Sequence, residues 1–304
     1  MSALRNACIA VLAATLFLAP AAAQERLKVI ASFSILADLV KNVGGERVEV
    51  GALVGAGGDA HVYAPTPADA RRIAEARLVV VNGLGFEGWL DRLVKASGTK
   101  AAVVMAAKGI KARTPGGDHG HGHKHDHAHD ADPHAWQSVA NVKTYIANIR
   151  DALAAADPAG AAVYQANAAA YQARLDELEA EVRAAVARIP PARRKIITSH
   201  DAFGYFSAAY GIQFIAPQGV ATDSEPSARD VARIISQIKR QKIPAVFLEN
   251  ISDPRLMQRI AKETGARIGG TLYSDALTEP GGPAPTYIDL IRHNIATLAA
   301  ALMS

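Results

Sequence analysis

Residues 159–189 carry one continuous helical pattern, rich in Ala, Glu and Arg and closed by Pro190-Pro191. Proline cannot continue a helix and forces the residue before it into extended backbone, so the stop is sharp. A helix of about 30 residues is about 45 Å long, more than one small lobe can hide. The segment therefore reads as a rigid spine with a folded body on either side.

Both bodies are of one kind. Before the spine, short apolar runs at 27–31, 48–54, 78–82 and 101–105 alternate with helical segments at 35–43, from Thr66-Pro67 onward, and at 86–96. Thr66 is placed as an N-cap, with Pro67 at the first helical position. A helix over 138–155 precedes the spine. After it, runs at 195–198, 213–216, 245–248 and 267–271 alternate with helices at 202–210, 227–241, 254–264 and 286–302. Strands this apolar, separated by helices, imply parallel sheets covered on both faces. The expected fold is α/β: two β/α lobes with parallel sheets, joined by one long rigid helix, with a cleft between them. The expected division is a leader at 1–23, an N-terminal lobe at 24–157, a linking helix at 158–190 and a C-terminal lobe at 191–304. No short internal repeat is visible.

The leader is read from Arg5, an apolar run over 7–19, and Ala21-Ala22-Ala23 before Gln24, which fits cleavage near Ala23. The run is too short to span a membrane comfortably. Cys8, the one cysteine, stands at its front, whereas a lipid-anchor cysteine would stand behind it. A chain cleaved near Ala23 has neither disulfide nor thiolate. That leaves histidine and carboxylate as the metal ligands available. The formal charge is +4, but Lys and Arg are scattered among acids with no basic block, and aromatic residues are only 6%. Nucleic-acid binding would need a basic patch or a stacking series, so it is excluded.

Four residues carry the chemistry. His61, His200 and Asp275 each follow a predicted strand, and His134 follows the loop after the fourth. In open parallel sheets ligands bind outside the carboxyl ends of the strands, so two candidates from each lobe face one cleft. Three imidazoles and a carboxylate make a closed shell for zinc. Asp59 is a candidate to orient an imidazole from behind or to serve as a spare ligand, or else a turn residue after Gly57-Gly58. Glu225 and Glu249 read as salt-bridge or capping residues, Trp89 and Trp136 as packing, and His293 as surface or packing. A separate segment, 117–130, alternates His119, His121, His123, His125, His127 and His129 with Gly, Asp and Lys. It lies within a stretch of 115–131 with no apolar periodicity, expected to be disordered without metal and to collect Zn²⁺ more weakly than a preformed site.

On four segments the chain resembles the metal-specific solute-binding proteins of ABC importers, the cluster A-I family with its zinc- and manganese-uptake members. The segments are His61-Val62-Tyr63-Ala64-Pro65-Thr66-Pro67, Asp132-Pro133-His134-Ala135-Trp136, Thr198-Ser199-His200-Asp201-Ala202-Phe203-Gly204-Tyr205-Phe206 and Leu272-Tyr273-Ser274-Asp275-Ala276-Leu277. The resemblance implies one metal between two β/α lobes, held by His61, His134, His200 and Asp275. It implies no catalysis, and a permease with its ATPase as partners. Manganese-type members typically have glutamate at the third ligand position and zinc-type members histidine, and here it is His200.

The expected function is capture of Zn²⁺ in the periplasm by a monomer that delivers it to an ABC permease, with a periplasmic zinc chaperone as a further possible partner. Affinity should fall as pH drops through about 6.5, where imidazoles protonate. Manganese or mixed carriage is the alternative, as is a stand-alone periplasmic metal buffer or adhesin. A zinc hydrolase would keep one coordination position open for water, which four protein ligands do not.

Overall fold

The computed structural model describes residues 25–115 and 131–303. The leader with Cys8, the cleavage position and the six histidines of 119–129 lie outside the described residues. Two four-stranded sheets, all parallel, carry the architecture. The first has the order β2-β1-β3-β4, from β1 (Leu27–Phe33), β2 (Val48–Val54), β3 (Leu78–Val81) and β4 (Ala102–Met105). The second has the order β6-β5-β7-β8, from β5 (Lys195–Ile197), β6 (Gln213–Ile215), β7 (Ala245–Glu249) and β8 (Arg267–Leu272). The two orders are the same once each sheet is counted from its own first strand. This duplication of topology leaves no trace as a sequence repeat.

The helices are α1 (Ser34–Gly44), α2 (Pro67–Glu75), α3 (Leu90–Ser97), α4 (Val139–Ala156), α5 (Ala161–Arg188), α6 (Gly204–Tyr210), α7 (Ala228–Gln241), α8 (Arg255–Thr264) and α9 (Tyr287–Met303). The spine is α5, 28 residues and about 42 Å. Tyr164, Ala168, Tyr171, Leu175, Leu178, Val182 and Val186 form one buried stripe along it. Their spacing of three or four residues keeps the stripe on one face, against α1, α4 and α9. Ile189 leaves the helix in extended backbone (ψ 125°) ahead of the two prolines.

That stripe joins a core shared by both sheets. Val29, Leu36 and Val80 of the first sheet region and Ile196, Phe206 and Phe247 of the second belong to one buried cluster with α5 and α9. Only the far face of the second sheet has its own core, of Ile197, Ile234, Ile238, Val246, Met257 and Ile260. A shared core resists hinge opening, because separating the lobes would expose it to water.

The α2 cap forms as expected: Thr66 and Asp69 make a reciprocal capping box behind Pro67. Ser227 caps α7. The helix expected over 86–96 starts late, at Leu90. Gly83, Leu84 and Gly85 all have positive φ, and the following turn carries Phe86 and Trp89 into the core instead of onto a helix. Both then pack beneath a ligand-bearing loop.

Candidate metal centre

His61, His134, His200 and Asp275 converge, each offering one ligand atom within 4.8 Å of the others. His61 Nε2 lies 3.2 Å from His134 Nε2 and 3.3 Å from Asp275 Oδ2. His200 Nε2 lies 3.1 Å from Asp275 Oδ2, and His134 Nε2 is 3.6 Å from Oδ1. Tetrahedral ligands about 2.0–2.1 Å from a zinc ion stand about 3.3–3.4 Å apart. The separations of 3.2 Å (His61–His134), 3.3 Å (His61–Asp275 Oδ2) and 3.1 Å (His200–Asp275 Oδ2) lie close to that edge. The side chains of His134, His200 and Asp275 are fully buried, and that of His61 is 4% exposed.

Each ligand-bearing loop is tied to a different part of the fold. The Asp59 carboxylate accepts the His61 backbone N–H at 2.9 Å, and its other oxygen accepts Thr222 Oγ1–H at 2.6 Å from the second lobe. Asp59 therefore holds the His61 backbone, not an imidazole. Trp89 donates to the Ala60 carbonyl, and Phe86 packs edge-on at 4.6 Å from the His61 ring. Asp132 Oδ1 takes both the His134 backbone N–H, at 3.0 Å, and Nδ1, at 2.9 Å. Glu249, at the end of β7, accepts the Ser199 and His200 backbone N–H groups through Oε1. Its Oε2 stands 2.5 Å from His200 Nδ1. The Asp275 loop is pinned to the first lobe, since Trp136 Nε1 and Gln137 Nε2 both donate to the Ser274 carbonyl.

The Asp132 hydrogen bond sets the tautomer of His134, and at His200 the Glu249 carboxylate beside Nδ1 favours the same tautomer by its charge, without an aligned hydrogen bond. A carboxylate at Nδ1 keeps the proton there and aims the Nε2 lone pair into the centre, as a metal requires. Asp275 Oδ1 is buried without a hydrogen-bond partner. A buried carboxylate oxygen left so is costly, and a cation at the centre would compensate it. Asp132 stands in plain view two residues before His134, yet its spacing alone assigns it no role. Glu249 reads from sequence as a salt-bridge or capping residue, and it lies 49 positions from His200, so only the β5–β7 pairing brings the two together. His293 takes no part; its Nε2 stands 3.0 Å from the Thr271 carbonyl.

The electrostatics set a pH dependence. Burial alone lowers the His134 imidazole, but Asp275 and Asp132 outweigh it and hold the group at about 9. His200 is likewise depressed by burial yet raised well above the ordinary range by Glu249 and Asp275. Burial lifts the Asp275 carboxyl, and the two imidazolium charges overcome that and hold it well below its usual value. At pH 7 a metal must therefore expel protons from the centre. Apparent affinity is expected to keep tightening up to about pH 9, and to weaken about tenfold per pH unit below it for each proton expelled. The window lies above the 6.5 expected for ordinary imidazoles, because three carboxylates surround the rings. Titration of affinity between pH 6 and 9 checks this; a plateau already reached at pH 7 would contradict it.

Residues 29–301 match the family described as "ZnuA: Zinc-uptake complex component A periplasmic". The chain belongs to this family. ZnuA-family proteins are metal-binding solute-binding components of ABC importers and not enzymes, which implies permease and ATPase partners. The chain is 37% identical over 278 residues, 91% of its length and 89% of the relative, to the "Manganese-binding lipoprotein MntA" of Halalkalibacterium halodurans. Over 93% of its length and 91% of the relative, it is 32% identical to the "Zinc-binding protein TroA" of Treponema pallidum. The solved periplasmic zinc-binding TroA superposes with a TM-score of 0.83 at 31% identity, covering 91% of this chain and 99% of that one. The Mn-bound periplasmic metal-binding protein of Candidatus Liberibacter asiaticus superposes with a TM-score of 0.80 at 31% identity, covering 91% of this chain and 100% of that one.

Proposed function

We propose that this ZnuA-family protein captures Zn²⁺ through His61, His134, His200 and Asp275 and delivers it to an ABC permease. The observation that carries the reading is the donor set: three imidazoles and one carboxylate, buried together, each offering one ligand atom within 4.8 Å of the others. Nitrogen-rich, four-donor shells suit zinc, whereas manganese prefers more oxygen. The protein acts as an exported monomer, with the leader removed near Ala23, in the periplasm. Because both lobes share one core, release comes from local movement of ligand loops when the protein meets its permease, not from hinge opening. The segment 117–130 collects zinc, or takes it from a periplasmic chaperone, and passes it inward.

The second reading is manganese, or mixed carriage. It is favoured by the way Asp275 turns both oxygens toward the imidazoles, Oδ2 to His61 and His200 and Oδ1 to His134. Bidentate binding would add a fifth donor, as a metal preferring more oxygen would use.

Deletion of residues 117–130 separates the centre from the histidine segment. An antiparallel bridge, Arg113 to Asp132, closes its base with a 2.8 Å hydrogen bond, so the deletion leaves a short turn over 114–116 and 131. Zinc stoichiometry is expected to fall to one, with the tight site kept. Loss of the tight site in the deletion protein would overturn the assignment of the four ligands.

A further inference from the structure

Asn82 directly follows β3 and is fully buried. Its side-chain NH₂ donates to the Gly83 carbonyl and, across 51 positions, to the Pro133 carbonyl, both at 2.9 Å. Carbonyls only accept, so the amide nitrogen faces them and Oδ1 faces the other way. There Oδ1 accepts the Tyr145 O–H at 2.5 Å, from a fully buried side chain of α4. Glu87 holds the backbone of the same turn. Its Oε1 accepts the Asn82 backbone N–H and the Ser32 hydroxyl, both at 2.6 Å. Tyr145 and Glu87 together fix the orientation and the place of the Asn82 amide. Polar groups this deep are costly unless each finds a partner, and here each does.

The Pro133 carbonyl is the one immediately before His134. The proline ring fixes φ, and the peptide between Pro133 and His134 is planar. The ψ angle of Pro133 is then the soft rotation that aims His134 from its upstream side. Turning it swings the carbonyl and His134 together. Asn82 holds the carbonyl of that peptide, and Asp132 Oδ1 holds its N–H. Asp132 belongs to the same segment as His134, whereas Asn82 anchors the segment to the end of a sheet strand. We infer that Asn82 is the positioning residue for His134: its amide, locked by Tyr145, sets the Pro133–His134 peptide so that Nε2 points into the centre before a metal arrives. The inference rests on the metal-capture reading above. Asp132 sets which ring nitrogen carries the proton, and Asn82 sets where the ring stands. A ligand held in place beforehand loses little freedom on binding, and that gain appears as affinity.

The test is a double-mutant cycle on zinc affinity, run on the full mature chain by chelator competition and read by tryptophan fluorescence. Trp136 packs 5.2 Å from the His134 ring, and Trp89 bonds to the residue before His61, so both tryptophans of the chain report on the centre. Asn82→Ala is expected to weaken Zn²⁺ binding about tenfold to a hundredfold, the usual cost of losing a partner behind a ligand. Tyr145→Phe removes one hydroxyl, keeps the ring in the core, and is expected to cost several-fold. Both losses should recur in the His200→Ala background and nearly vanish in the His134→Ala background, where no ring is left to aim. Undiminished losses in the His134→Ala background would overturn the proposal, since Asn82 would then serve the fold as a whole. Wild-type affinity in both single variants would overturn it too. Should Asn82→Ala not fold, Tyr145→Phe completes the same cycle. A His134→Ala protein that binds zinc as tightly as wild type would instead remove His134 from the ligands and sink the reading of the centre itself.

Discussion

His200→Ala is expected to weaken zinc binding by about a hundredfold or more. Structural zinc sites are worth about 10–16 kcal/mol spread over four ligands, roughly 3 kcal/mol each, and every 1.4 kcal/mol is a factor of ten. The loss falls on a fully buried ring that supplies the only imidazole from the second lobe. Without it the ion keeps His61, His134 and Asp275, which cannot close a tetrahedral shell. The substitution also leaves Glu249, 3% exposed, without the ring that faces it. The metal-free variant should therefore be less stable than wild type, since a buried charge loses its partner. Chelator competition reads the affinity and thermal unfolding the stability. Affinity within a few-fold of wild type would mean that His200 is not a ligand.

Glu249→Gln is a finer change with an effect of similar size. The amide oxygen can still accept the Ser199 and His200 backbone N–H groups, so the loop between β5 and α6 stays in place. Its NH₂ then faces His200 Nδ1 and can only donate, which makes Nδ1 the acceptor and puts the ring proton on Nε2. That proton points at Asp275, where the metal should be. Removing the partner behind a metal-bound histidine typically costs 10–100-fold in affinity, and an inverted tautomer places this case at the upper end. Glu249 is a positioning residue, so the readout includes the tautomer itself. Long-range ¹H–¹⁵N spectra of the metal-free protein, taken at alkaline pH where the His200 imidazolium has given up its extra proton, should show the ring protonated on Nδ1 in wild type and on Nε2 in Glu249→Gln. An unchanged tautomer with unchanged affinity would remove Glu249 from the site.

The spine and the alternation of strands and helices are legible in the sequence because each is a local signal. The α5 stripe has helical spacing, Pro190-Pro191 ends it, and the strands are short apolar runs between turn residues. The four residues at the centre are legible as a set because each follows a parallel strand, where ligand-bearing loops cluster. What stays hidden depends on strand pairing. Glu249 meets His200 only because β7 lies beside β5, and nothing in Ala245–Glu249 distinguishes its last residue from any strand-end acid. Asp59 reads as a turn residue after two glycines, and its bond to Thr222 joins positions 163 apart. The late start of α3 is hidden for the opposite reason. Phe86 and Trp89 have helical spacing with Leu90 and Leu93, yet the positive φ values of Gly83, Leu84 and Gly85 turn the backbone first. Periodicity alone does not report which apolar residues pack beneath a binding loop.

The most direct test of zinc capture is a chelator-competition titration of the mature, metal-free protein with Zn²⁺ and with Mn²⁺ at one pH, on the chain lacking residues 117–130. One zinc per chain at nanomolar affinity or tighter, with manganese weaker by several powers of ten, is the result expected of three imidazoles and one carboxylate. Manganese bound as tightly as zinc would contradict it and assign the centre to manganese or mixed carriage, with Asp275 as a bidentate ligand.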